Sequence, residues 1–125
     1  IKFGLQKDLK LGNMEAKRDW GHAKDHVEAM WLMLNQKKPT DYVVSTGKHY
    51  SVRDFTKLAF SLVDLDYKKY VKVDKKLYRP AEVESLLGDC RKVKKELKWK
   101  PKYDFKSLVE DMVKADLEFV EKEGY

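Results

Sequence analysis

Cysteine is nearly absent. Cys90 has no second thiol with which to close an internal disulfide or to complete a zinc set with histidines at close spacing. A reducing compartment, read as cytoplasmic, is the natural expectation. Long apolar runs are missing too: Lys, Asp or Glu interrupts each stretch well before the ~18 residues that a membrane span needs. The opening Ile1-Lys2-Phe3-Gly4 has no initiating Met and does not read as a signal peptide, so the sequence reads as processed, truncated or beginning inside a longer chain. The familiar cofactor and catalytic signatures are absent as well. There is no Gly-x-Gly-x-x-Gly, no Gly-Lys-Ser/Thr loop, no nucleophile elbow and no Tyr-x-x-x-Lys pair.

What the chain does have is ample apolar and charged material. Of its 125 residues 42% are hydrophobic, enough for a core, and 38% are charged with both signs interspersed. Lys and Arg exceed Asp and Glu by 27 to 21, a net charge of +6 that favours approach of an anion. Mixed signs argue against a nucleic-acid tail or a membrane-binding strip, either of which gathers its lysines into a block.

Leu9-Lys10-Leu11 alternates as a short strand, and Gly12-Asn13 turns it into a charged stretch, Met14 to Trp20, expected as a presented loop. Val27, Met30, Trp31 and Leu34 fall at helical spacing, which predicts a helix over 23–34 with those residues on its inner face. Pro39 closes that segment, and Tyr42-Val43-Val44-Ser45 reads as a buried strand. Ser51 is an N-cap candidate for a helix with Val52, Phe55, Leu58, Ala59 and Leu62 inside, though no Glu stands three residues on. Tyr70 to Val73 predicts another strand, and Asp89 caps a short helix bearing Val93 and Leu97. A last helix over 105–122 turns Leu108, Met112, Ala115 and Phe119 inward, with Gly124 after it. The order reads as an α/β fold with much of its parallel sheet not visible in the sequence.

Candidate ligand-binding residues lie in loops after strands, where open α/β sheets bind ligands. Arg18 can grip a phosphate bidentately or can pair with Asp19 or Asp25. Arg79, held extended by Pro80, and Glu82 can meet a nucleotide or can pair with each other; a Glu carboxylate accepts two hydrogen bonds from a donor pair such as that of guanine. The run Lys94, Lys95, Lys98, Lys100 and Lys102 reads as a solvated face rather than a nucleic-acid site. Trp99, Tyr103 and Phe105 either pack beneath that helix or stack on bases. His22 reads as a helix-start residue with its ring hydrogen-bonded, Cys90 as a buried thiol, and His26 and His49 receive no role.

Five segments stand in register: the run from Leu11 to Trp31, Ser45-Thr46-Gly47, Ser51-Val52-Arg53, Tyr78-Arg79-Pro80-Ala81-Glu82-Val83, and Leu87-Gly88-Asp89. Together they resemble the C-terminal part of the GDP-mannose 4,6-dehydratase family, extended short-chain dehydrogenase/reductases. The resemblance implies the last helix and strand of an NAD(P)-binding Rossmann-type sheet at about residues 1–48 and a small substrate-binding domain at about 49–125. It implies conversion of GDP-mannose to GDP-4-keto-6-deoxymannose plus water in a homo-oligomer, a dimer or tetramer. NADP and the catalytic groups would then be held mainly by a preceding part, leaving this chain no catalytic residue. Arg18 and Arg79 match arginines that reach the nucleotide diphosphate, Glu82 the residue facing guanine, and Asn13 the loop passing the nucleoside. Cys90 departs from a proline common in the family and His26 from a tyrosine. The alternative expectation is a non-catalytic GDP-sugar-binding or subunit-association module, with neither nucleic acid nor membrane as partner.

Overall fold

The computed structural model describes residues 1–123, which leaves Gly124 outside the described residues. Two small sheets and a set of helices share the work of burial. In the first sheet, β1 (Leu9–Leu11) runs parallel to β4 (Val71–Val73) in the register Leu9↔Val71, Lys10↔Lys72, Leu11↔Val73. In the second, β2 (Lys17–Arg18) pairs antiparallel with β3 (Tyr50–Ser51), and a parallel bridge joins Lys17 to Ser85 on its other side.

The helix α1 (Ala23–Leu34) has the expected bounds but not the expected inner face. Val27, Met30, Trp31 and Leu34 are 62%, 57%, 67% and 82% exposed, while Asp25 and Ala29 are buried. The reason is pairing at long range. The Asp25 carboxylate accepts from the Lys102 and Tyr103 backbone N–H groups at 3.1 and 3.0 Å, and its carbonyl accepts from Trp99 Nε1–H at 2.9 Å. A carboxylate that accepts from two backbone N–H groups can be buried with much less of the penalty that excludes a bare one. Once Asp25 faces the core, helical geometry sends Val27 and Trp31 outward. The core itself joins Ala29, Cys90, Val93, Leu97 and Trp99, with Leu32, Met33, Tyr42 and Val44 packed against it. Trp99 is only 2% exposed, so it packs and does not stack on a base.

The Tyr42–Ser45 stretch joins no ladder among the described residues, and Val43 is 54% exposed, so it is not the buried strand expected. The Met14–Trp20 stretch also departs from expectation. Met14 and Ala16 are buried, because Val52 N–H and Arg53 N–H donate to Ala16 and Met14 carbonyls and draw the segment inward as β2.

His22 caps α1, its Nδ1 accepting from Lys24 N–H at 3.1 Å while Nε2–H donates to Asp111 at 2.9 Å. That is the helix-start role expected of it. Helix α2 (Val52–Ser61) opens with a full capping box: Asp54 stands where a Glu was sought and closes the box with its shorter side chain. A helical turn, α3 (Tyr67–Tyr70), precedes β4 and shortens the strand expected from Tyr70. Helix α4 (Arg91–Leu97) starts at Cys90 without a side-chain cap; Asp89 instead accepts from Arg91 N–H and grips the Arg91 guanidinium. Helix α5 (Phe105–Glu123) buries Leu108 and Val109 and leaves Met112 and Phe119 about half exposed. Its inward stripe continues through the partly buried Val113, Leu117 and Val120 instead of through Ala115. Trp20, Tyr50 and Phe55 gather on Phe105, with ring centroids 6.1, 3.9 and 5.9 Å from it, and tie α2 to α5. No described helix is long and apolar enough to cross a membrane.

Candidate functional site

The carboxyl ends of the parallel pair β1 and β4 lead into two loops that meet. Asp74 N–H donates to Leu11 O at 2.8 Å, and a 3₁₀ turn over Lys75–Leu77, capped by the Asp74 carboxylate, follows. The turn brings the Leu77 carbonyl so close to Gly12 that a Cβ there would sit 2.7 Å from its oxygen. Only glycine fits this approach, which fixes where Asn13 and the Tyr78–Leu87 loop lie relative to each other. Asn13 Oδ1 accepts from Glu15 N–H at 3.0 Å in a local turn, so its side chain already serves the loop.

The Tyr78–Leu87 loop then runs along β2. Lys17 N–H donates to Glu84 O at 2.7 Å, and Leu86 N–H donates to Lys17 O at 3.0 Å. This pairing carries Glu82 and Val83 to the Arg18 side chain. Arg18 Nη1 donates to Lys17 O and Val83 O, each at 2.8 Å, and Nη2 donates to Glu82 Oε1. Both side chains of the ion pair are about four-fifths buried, at 22% and 19% exposure. Three of the five guanidinium N–H groups are used. Nε–H and one Nη2–H remain, and Glu82 Oε2 makes no hydrogen bond among the described residues.

Arg18 and Glu82, 64 positions apart, are therefore brought together, and neither local pairing expected for them occurs. Asp25 serves the core. Asp19 accepts from Thr46 N–H and Oγ1–H at 2.9 and 2.6 Å and from Gly47 N–H at 2.9 Å. Arg79 stands on the same loop as Glu82 and is exposed, with no ion pair among the described residues. Asp19 is the residue that sequence reasoning undervalued. It was weighed only as a partner for Arg18, yet it ties the β2 segment to the Ser45-Thr46-Gly47 turn. An Asp next to a turn of Thr and Gly, each offering N–H donors, was the available signal. Gly88 closes on the same turn, for a Cβ there would fall 2.3 Å from Ser45 Oγ.

An arginine held by a carboxylate next to strand ends, with guanidinium N–H groups left over, has the chemistry that suits a phosphate ester. A family model described as GDP-mannose 4,6 dehydratase matches residues 1–112. The chain belongs to this family. Over 123 residues it is 52% identical to GDP-mannose 4,6 dehydratase 1 of Arabidopsis thaliana, a match covering 98% of this chain and 34% of the relative. It is 44% identical over 137 residues to the human GDP-mannose 4,6 dehydratase, covering 96% and 37%. The chain thus spans about a third of the length of the curated dehydratases it matches. Its fold superposes on RMD from Pseudomonas aeruginosa complexed with NADPH with a TM-score of 0.79 at 22% identity, covering 90% of this chain and 37% of that one. The α/β architecture is one the chain shares with these solved structures, as the resemblance implied.

An apolar cleft of about 720 Å³ between the first residues, α2 and α5 shares no lining residue with the Arg18 site. The described residues also form no dinucleotide cradle. The gap after β1, where a strand-to-helix phosphate loop belongs, is filled by Leu77 against Gly12, and a 3₁₀ turn follows β4.

Proposed function

We propose that this chain supplies the GDP-binding face of a GDP-mannose 4,6-dehydratase. The reaction would be loss of water from GDP-mannose to give GDP-4-keto-6-deoxymannose. The observation that carries the reading is the Arg18–Glu82 pair, which leaves two guanidinium N–H groups and one carboxylate oxygen open on the same loop as Arg79. Arg18 and Arg79 would take the diphosphate, where planar guanidinium forks match phosphate oxygens. Glu82 Oε2 would accept from guanine, and Asn13 would flank the nucleoside through its loop. In this division residues 1–48 complete the nucleotide-binding part and residues 49–125 form the substrate part.

The chemistry of such a dehydratase needs a nicotinamide cofactor, NADP in this reading, which supplies hydride transfer when bound. The described residues do not fit that cofactor, so they orient substrate and no step of the reaction is assigned to them. The whole enzyme would work as a cytoplasmic homo-oligomer.

Calorimetric titration of the chain with GDP-mannose tests the proposal. Expected is saturable binding that GDP competes far better than ADP or UDP. Equal competition by all three nucleotides, or no binding by a folded chain, overturns it.

A further inference from the structure

The loop that carries Asn13 is fastened by more than Leu77 against Gly12. The first N–H groups of a helix have no partner inside it. In α2 two of these donors are directed at that loop: Val52 N–H donates to Ala16 O at 3.0 Å and Arg53 N–H to Met14 O at 2.9 Å. Met14 and Ala16 are buried on either side of Glu15, which is exposed. The Arg53 side chain reaches the same loop as its backbone. Its Nε–H, at 2.7 Å, and its Nη2–H both donate to Glu15 Oε1, across 38 positions of sequence. Glu15 N–H in turn donates to Asn13 Oδ1 at 3.0 Å.

That last bond decides which end of the Asn13 carboxamide is free. A backbone N–H can only donate, so it meets the carboxamide oxygen, and Nδ2 with its two N–H donors makes no hydrogen bond among the described residues. Asn13 therefore presents donors, where Glu82 Oε2 presents an acceptor. The Arg53–Glu15 pair is not needed to fasten α2, whose start already has the Ser51–Asp54 capping box and the two backbone bonds. Its side chains are 43% and 69% exposed, and ion pairs that exposed add little to folding stability. What the pair adds is a fixed Glu15, and through it a fixed Asn13. A ligand-facing group ordered in advance lowers the entropic cost of binding.

We propose that Arg53, acting through Glu15, is a positioning residue that keeps the Nδ2 donors of Asn13 free for an oxygen acceptor of the bound nucleotide. The inference rests on the GDP-binding reading above and deepens it, since it adds to that site a residue 40 positions from Asn13 that touches no ligand itself.

Calorimetric titration of the 125-residue chain with GDP-mannose, run as a double-mutant cycle, tests the proposal. Asn13→Ala is expected to weaken binding about 10-fold and Arg53→Met about 3- to 5-fold. The two together should lose no more than Asn13→Ala alone, because Arg53 acts only through Asn13; a merely structural role would multiply the losses. Glu15→Ala should match Arg53→Met, and Glu15→Gln, whose Oε1 still accepts from the guanidinium, should recover most of that loss. The Tm of Arg53→Met is expected to stay within about 4 °C of the parent. Losses that multiply, an Arg53→Met chain that binds as tightly as the parent, or a fall in its Tm of more than about 10 °C overturn the proposal and leave GDP-mannose binding standing. A folded parent chain that binds no GDP-mannose removes the proposed function, and this inference with it.

Discussion

Two carboxylates, Asp25 and Glu82, each bind a segment more than sixty positions away, and the difference between them separates a scaffold from the proposed recognition site. Asp25 is 2% exposed, so no ligand reaches the carboxylate whose Oδ2 accepts from two backbone N–H groups. Glu82 sits at a rim, gives one oxygen to Arg18, and keeps the other open while Arg18 keeps two N–H groups. Deep burial on backbone partners fixes the chain, whereas the pair at the rim is held in place with polar groups left over, as the proposed binding role requires. Asp19 lies on the scaffold side of this divide, since its bonds run to Thr46 and Gly47.

The sharpest way to break the comparison is Asp25→Ala. It strands two partly buried N–H donors at Lys102 and Tyr103, and each group left unsatisfied costs about 1–3 kcal/mol. A loss near 3 kcal/mol in urea denaturation is expected, with GDP-mannose affinity of the surviving folded fraction unchanged. A loss below about 1 kcal/mol would show that Asp25 is not the post described.

The rim should behave in the opposite way. Arg18→Ala or Arg79→Ala is expected to weaken GDP-mannose binding by about 1.5–3 kcal/mol, the range of hydrogen bonds to charged groups. Glu82→Gln should reduce the preference for GDP over ADP more than it reduces overall affinity. If Arg18→Ala costs as much folding stability as Asp25→Ala and leaves affinity intact, then the Arg18–Glu82 pair is scaffold as well and the comparison collapses.

The same contrast explains what was legible in the sequence. The bounds of α1 follow from periodicity and the cap of α2 from Ser51, because both are local. Which side of α1 faces inward was not legible. It is decided by Asp25 meeting backbone groups 77 and 78 positions away, and no local pattern announces that partner. The stripe on α5 misled for a related reason: Leu108, Met112, Ala115 and Phe119 and the alternative through Val109, Val113 and Leu117 both fit a helix, and only tertiary packing chooses. At the candidate site, local reasoning paired Arg79 with Glu82 because they are neighbours. The pairing of Arg18 with Glu82 needs the Lys17–Ser85 bridge, made by strands too short to leave a signal.

A smaller effect comes from the α2 capping box. Ser51 hydroxyl and backbone N–H hold the Asp54 carboxyl below its ordinary value. A carboxylate with a lowered folded value adds stability above its unfolded pKa, about 3.9, and loses it as pH falls through the folded value. Ser51→Ala is therefore expected to cost about 1 kcal/mol at pH 7 and progressively less below pH ~4. Thermal melts of both proteins across that range check the sign, and a gap that widens on acidification would refute it.

The smallest expected effect is at Asp89, where hydrogen bonds are most numerous and burial least. The Arg91 guanidinium and its backbone N–H pull the Asp89 carboxyl down to about 2, yet both side chains are more than half exposed. Water solvates each partner well when the pair is apart, and holding a long arginine in one geometry carries an entropic cost. Asp89→Asn is accordingly expected to lower Tm by less than Ser51→Ala does. A larger fall in Tm would mean that bond number matters more than burial in this chain, and the contrast between Asp25 and Glu82 would then need to be drawn by counting bonds.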